Sequence, residues 1–176
     1  MTTAFTPATE LARMIRAGEV SAAEATDEAL WDRTMDINLR GSYFTAQAAL
    51  PALRARAGNI VNIASESGLI AYPKASAYCA AKGAVVNLTR ALARELVPEV
   101  RVNCVCPGNV ETDMIGRAAR ASGDPEAYLA MSRAHAPLGR MATSEAIAEA
   151  VLYFASDRAG FTTGAVLAVD GGTLAG

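Results

Sequence analysis

Three short runs of β-branched and small apolar residues limit what this chain can fold into. They are Asn59–Ala64 (NIVNIA), Val100–Val105 (VRVNCV) and Ala165–Val169 (AVLAV), with helical patterns between them. Short apolar runs of this kind mark strands buried between two layers. Strands joined by helices pair in parallel through right-handed crossovers. The order reads α-β-α-β-α-α-β, so the expected fold class is α/β: a parallel sheet of about three strands with flanking helices.

The helical segments carry their own signals. Trp31, Met35, Leu39 and Tyr43 recur at i, i+4 spacing and predict a helix through residues 31–56, with Asn38 and Gly41 marking a kink inside it. Ala77–Val97 reads as a long helix with Val85, Leu88, Leu92 and Leu96 toward the core, ended by Pro98. Residues 109–136 are small, polar and loop-rich, with one helix opened by Asp124-Pro125. Thr143 or Ser144 caps a helix that runs to Ala155. Ahead of these, residues 9–17 predict a short helix, and Ser21 with Glu24 forms a capping box for another.

Charge and cysteines exclude several functions. Net charge is −2 with no basic cluster, so no nucleic-acid or anionic-membrane surface is expected. No apolar run approaches the ~18 residues of a membrane helix, and no signal peptide is read at the N-terminus. A hydrophobic fraction of 52% supports a real core. Cys104 and Cys106 would share one strand face, and Cys79 stands apart. A zinc reading needs four N/S ligands and the only histidine is His135, in an unrelated segment, so no metal is expected. Reduced thiols of this kind suit a cytoplasmic protein.

The chemistry concentrates in Ser65–Lys82. Tyr78 and Lys82, four residues apart at a helix start, share one face. An ammonium beside a phenol favours the phenolate, which would bring a tyrosine from about pKa 10 toward use as a general acid or base. Ser65, just beyond NIVNIA, could converge on the same substrate oxygen or merely cap a turn.

Together with Asn38, the Ser65-to-Tyr78 spacing, Pro107-Gly108-Asn109-Val110-Glu111-Thr112 and the closing Val169-Asp170-Gly171-Gly172, these motifs resemble the C-terminal half of a short-chain dehydrogenase/reductase. The resemblance covers residues 31–176 and implies a truncated, doubly wound, Rossmann-like sheet. It implies that Tyr78 is the acid/base and that Ser65 orients the substrate oxygen. Lys82 would lower the Tyr78 pKa and bind the nicotinamide ribose, and Asn38 would hold a relay water. Pro107, Gly108, Val110 and Thr112 would line the nicotinamide of NAD or NADP, and residues 113–136 would form a lid with Met114, Ile115, Tyr128 and Met131. The implied reaction interconverts a carbonyl and an alcohol of a small-molecule substrate.

The family grips its dinucleotide with Gly-x-Gly-x-x-Gly at the first βα turn. No two glycines here are spaced two apart, so that grip is expected to be weak. The alternative expectation is a non-catalytic, oligomerising remnant. Residues 1–30 read as a helical N-terminal extension, of which Glu10–Leu30 faintly resembles the start of amidase-signature hydrolases. With the preceding strands missing, NIVNIA becomes a sheet edge that invites pairing, and a homo-oligomer, dimer or tetramer, is expected.

Overall fold

The computed structural model describes residues 27–175. The helices expected at residues 9–17 and from Ser21 lie outside them. Helix α1 (Glu28–Met35) begins at Asp27, whose side chain accepts from the Leu30 N–H. It passes into a π-turn at Asp36–Arg40 and continues as α2 (Gly41–Arg54). Strand β1 (Asn59–Ile63) leads to a 3-10 turn at Glu66–Gly68 and then α3 (Ser76–Glu95). Strand β2 (Arg101–Pro107) is followed by α4 (Asp113–Ala121), α5 (Pro125–Ala134) and α6 (Ser144–Ala155), and β3 (Val166–Val169) closes the order.

The three strands form one parallel sheet in the order β1-β2-β3. Asn59 pairs with Arg101 through Ile63 with Val105, and Cys104 pairs with Val166 through Pro107 with Val169. Among the described residues β1 is therefore an edge strand, as expected for NIVNIA. The central β2 is buried on both faces from Val102 to Cys106, as the middle strand of a parallel sheet is. One face carries Cys104 and Cys106 against Val85 and Val86 of α3, and Val102 against Leu92 and Leu96. The other face carries Val105 against Phe154 of α6. Buried Asn103 joins β2 to the chain before β3: its amide donates to the Thr162 carbonyl and its oxygen accepts from the Ala165 N–H.

Two elements differ from the sequence reading. The kink expected at Asn38 and Gly41 is present as the π-turn, but the i, i+4 stripe expected over 31–56 breaks with it. Met35 and Leu39 are partly buried, but Trp31 and Tyr43 are 42% and 40% exposed. An α-turn advances each residue by about 100°; the wider π-turn resets that phase. The segment after Thr112 also contains α4, in addition to the helix at Asp124-Pro125. Asp124 caps α5 by accepting from the Ala127 N–H, and Thr143 rather than Ser144 caps α6 by accepting from the Ala146 N–H.

Candidate active site

A cleft of about 650 Å³ lies at the carboxyl ends of β1 and β2. That is where an open parallel sheet offers backbone groups and side chains to a ligand. Asn38, Ser65, Tyr78, Lys82, Pro107, Gly108, Val110 and Thr112 all line it. The chain thus gathers onto one surface residues that span 75 positions of sequence, from 38 to 112.

Each residue is placed by a local device. Ser65 follows β1 and caps the 3-10 turn, its hydroxyl oxygen accepting from the Ser67 N–H at 3.2 Å. The turn-capping role weighed from sequence is therefore present, and it coexists with the cleft position. Gly68 then presses the loop against α3: a Cβ there would lie 2.7 Å from the Lys82 carbonyl carbon and oxygen. No other residue type permits that approach, which fixes Ser65 relative to Tyr78 and Lys82. Lys82 stretches across the Tyr78 ring, its Nζ 5.6 Å from the ring centroid, and donates to the Ile63 carbonyl at 3.1 Å.

Electrostatics departs from the expectation that Lys82 would lower the Tyr78 pKa. Burial raises Tyr78, with the Ser65 side chain working the other way and Cys79 adding a smaller rise. Burial also lowers Lys82, opposed by Cys104 and Cys106. In this arrangement the ammonium serves the β1 carbonyl and the ring face, and partial burial dominates both groups.

Asn38 sits in the π-turn, its amide N–H donating to the Thr34 carbonyl at 3.0 Å, while its own carbonyl accepts from the Ser42 hydroxyl at 3.0 Å. π-Turns recur where a helix must present a residue out of its regular phase. On the opposite wall, Gly108 lies flush against Asp170 and Glu66; a Cβ would approach the Asp170 Cα and the Glu66 Oε2 to 2.9 Å each. A parallel bridge between Val110 and Ala142 holds the strand extension that carries Thr112 to the start of α4.

The nicotinamide end of a dinucleotide fits these residues. Gly108 leaves the wall without a side chain, Tyr78 and Lys82 offer polar groups, and Ile115 and Ile147 supply apolar lining. Among the described residues no glycine-rich turn stands ready for a pyrophosphate.

Several lining residues were not singled out from sequence. Glu66 is 5% exposed and forms part of the cleft wall, and Gly68 sets the loop. Their only sequence signal is position beside Ser65. Met114 and Ile115 line this cleft, whereas Tyr128 and Met131 line a neighbouring one. Cys104 and Cys106 are buried with their sulfurs 3.9 Å apart. Among the described residues no group of three or more His, Cys, Asp and Glu side chains could hold a metal ion. Nor is any described helix long and apolar enough to cross a membrane.

The chain is similar to several known proteins. A family model described as enoyl-(acyl carrier protein) reductase matches residues 11–173. 2-(S)-Hydroxypropyl-CoM dehydrogenase 3 of Xanthobacter autotrophicus is 46% identical over 151 residues, 85% of this chain and 59% of the relative. An inactive 2-(S)-hydroxypropyl-CoM dehydrogenase 2 of the same bacterium is 43% identical over 98% of this chain and 76% of its own length. The chain thus spans about three fifths of the first relative and three quarters of the second. The ligand-free aldohexose dehydrogenase of Thermoplasma acidophilum matches with a TM-score of 0.83 at 29% identity, covering 94% of this chain and 72% of that one. A family model matched over most of the sequence, with relatives above 40% identity, places this chain in the short-chain dehydrogenase/reductase family of oxidoreductases.

Proposed function

We propose that the chain carries the acid/base half of an NAD- or NADP-dependent oxidoreductase that interconverts a carbonyl and an alcohol on a small molecule. The observation that carries this is the convergence of Asn38, Ser65, Tyr78, Lys82 and the Pro107–Thr112 wall on one cleft. Tyr78, kept protonated by burial, gives its proton to a carbonyl oxygen on reduction and recovers one from the hydroxyl on oxidation. Ser65 holds that oxygen by a hydrogen bond. Lys82 and Tyr78 meet the nicotinamide ribose, Asn38 holds the water that returns protons to solvent through Lys82, and Pro107, Gly108, Val110 and Thr112 line the nicotinamide ring. When bound, the nicotinamide supplies or takes up the hydride. Residues 113–136 close over the substrate as a lid.

The same proposal treats residues 1–30 as a helical extension and 31–176 as the C-terminal half of a Rossmann-like domain. It also holds that the protein is cytoplasmic and assembles as a homo-oligomer, a dimer or tetramer.

A second reading is a non-catalytic, oligomerising remnant of such an enzyme. Two observations favour it: the sequence contains no Gly-x-Gly-x-x-Gly, and one relative matched over nearly the whole chain is named inactive. Calorimetric titration with NADH and NADPH separates the two readings. Dissociation constants below the millimolar range support the oxidoreductase; no binding up to that range supports the remnant.

A further inference from the structure

A second cavity of about 310 Å³ adjoins the cleft and shares Glu66, Ser67 and Asn109 with it. Its polar wall is a three-residue cluster. The Glu66 Oε1 lies 3.2 Å from the His135 Nε2, and the same Nε2 lies 2.8 Å from the Tyr72 hydroxyl. The Glu66 Oε2 is buried and has no hydrogen-bond partner among the described residues. An ionised carboxylate only accepts, so the Nε2 next to it is the ring nitrogen that carries the proton. In that tautomer Nδ1 is the acceptor of the ring. Burial, and then the Glu66 carboxylate, raise the Tyr72 pKa, so its hydroxyl stays protonated.

The charge balance of this cavity is one-sided. No Lys or Arg lines it, and Lys82 of the adjoining cleft is held by the Ile63 carbonyl. His135 and Tyr72 can be touched by a ligand, since the His135 side chain is 32% exposed. The Glu66 side chain, at 6%, acts on that ligand through its charge and through His135 rather than by contact. A buried carboxylate without a full-time cationic partner repels a second anion and attracts donors.

We propose that this cavity is the specificity end of the site. It takes a hydrogen-bond donor of the substrate, a hydroxyl or an ammonium group, and turns away carboxylates, sulfonates and phosphates. The inference rests on the oxidoreductase reading for the placement of the reacting carbon at Tyr78, with the remainder of the substrate reaching across Glu66. Glu66 is a positioning residue here; His135 and Tyr72 make the contacts.

The test uses four alcohols that differ only in their far substituent: cyclohexanol, cyclohexane-1,4-diol, trans-4-aminocyclohexanol and trans-4-hydroxycyclohexanecarboxylate. Their binding to the intact chain at neutral pH is read by ligand-observed NMR, without turnover. The diol and the amino alcohol are expected to bind at least about tenfold more tightly than the carboxylate. Glu66→Gln is expected to bring the amine-to-carboxylate ratio to within about threefold while leaving the diol bound, a change in charge preference that a purely structural role would not produce. His135→Phe removes the advantage of the diol over cyclohexanol. Carboxylate binding as tight as that of the diol, an unchanged ratio in Glu66→Gln, or no binding of any probe overturns the proposal. Should Glu66→Gln fail to fold, the wild-type ranking and His135→Phe decide it. The expected ranking without any NADH formation keeps this inference and sinks the oxidoreductase reading; NADH formation with a preference for the carboxylate does the reverse.

Discussion

The two helical layers of one sheet face are built very differently. Helix α3 buries Ala77, Ala81, Val85, Val86, Thr89, Leu92 and Ala93, whereas α2 buries no residue fully. Phe44 in α2 is 49% exposed, Ile37 in the π-turn 65%, and Ile63 at the end of the edge strand 45%. A groove bounded by Ile37, Ala46, Leu53 and Ile60 runs between α2 and β1. The difference teaches that the cleft residues Ser65, Tyr78 and Lys82 are held by a core of their own. Tyr78 and Lys82 project from the buried helix, and Ser65 is pinned to it through Gly68. Among the described residues the flank beside them is apolar without being packed, so geometry at the cleft and packing of the flank are separable properties.

Three experiments press on that contrast. The largest effect is expected from Tyr78→Phe, which removes the proton donor and leaves the ring. Turnover should fall by about three orders of magnitude, the scale of general acid–base catalysis, while NADH or NADPH affinity falls by no more than about tenfold, the loss of one ribose hydrogen bond. Absorbance assays and calorimetry on the same preparation check it. The wild-type pH profile has a definite sign. Because burial raises the Tyr78 pKa, the protonated form persists through neutrality. Carbonyl reduction should hold its rate across neutral pH, while alcohol oxidation, which needs the phenolate, should climb as pH rises toward and past the ordinary tyrosine value of about 10. An oxidation rate that levels off below neutrality would sink this assignment.

An intermediate effect is expected from Gly108→Ala. Its Cβ would meet the Asp170 backbone and the Glu66 carboxylate at 2.9 Å. The wall must shift, at a cost of about 1–3 kcal/mol as in other overpacked sites. Chemical denaturation measures the loss. A variant as stable as the parent would show that the cleft wall is looser than the flank.

The smallest effect on folding is expected from Phe44→Ser on the open flank, within about 0.5 kcal/mol for an exposed position. Its consequence should instead appear in assembly. If α2 forms the contact between copies, light scattering after size-exclusion chromatography will show a lower mass for the variant than for the parent. A parent that is already monomeric at micromolar concentration removes the oligomer from the proposal.

How much of this was legible in the sequence follows from where each signal resides. The strands were readable because β-branched runs bounded by turns leave few other options; β1 runs through Ile63 and β3 starts at Val166, each one residue short of the expected boundary. The cleft residues were readable because chemistry-bearing types stood in a recognisable order. Helix α4 was missed because it is only nine residues long and carries Gly116 within a segment rich in small residues, although Asp113, Arg117 and Arg120 recur at helical spacing on one side of it. The contact of Lys82 with the Ile63 carbonyl was not legible because its partner is a backbone group, invisible to any motif. Glu66 was passed over because its burial depends on Gly108, Asp170 and His135, which converge only in the fold.

The π-turn at Asp36–Arg40 has a consequence for alignment and for engineering alike. It is a register shifter that stores one surplus residue between two helices that otherwise keep separate phases. Removing a single residue there would convert the segment to plain α-helix and swing everything upstream by about 100°, so that the face now toward α3 would turn aside while every remaining side chain kept its chemical identity. A relative whose helix is uninterrupted must therefore be aligned with a one-residue gap at this point. Without the gap, Asn38 would be matched to a neighbour that points elsewhere.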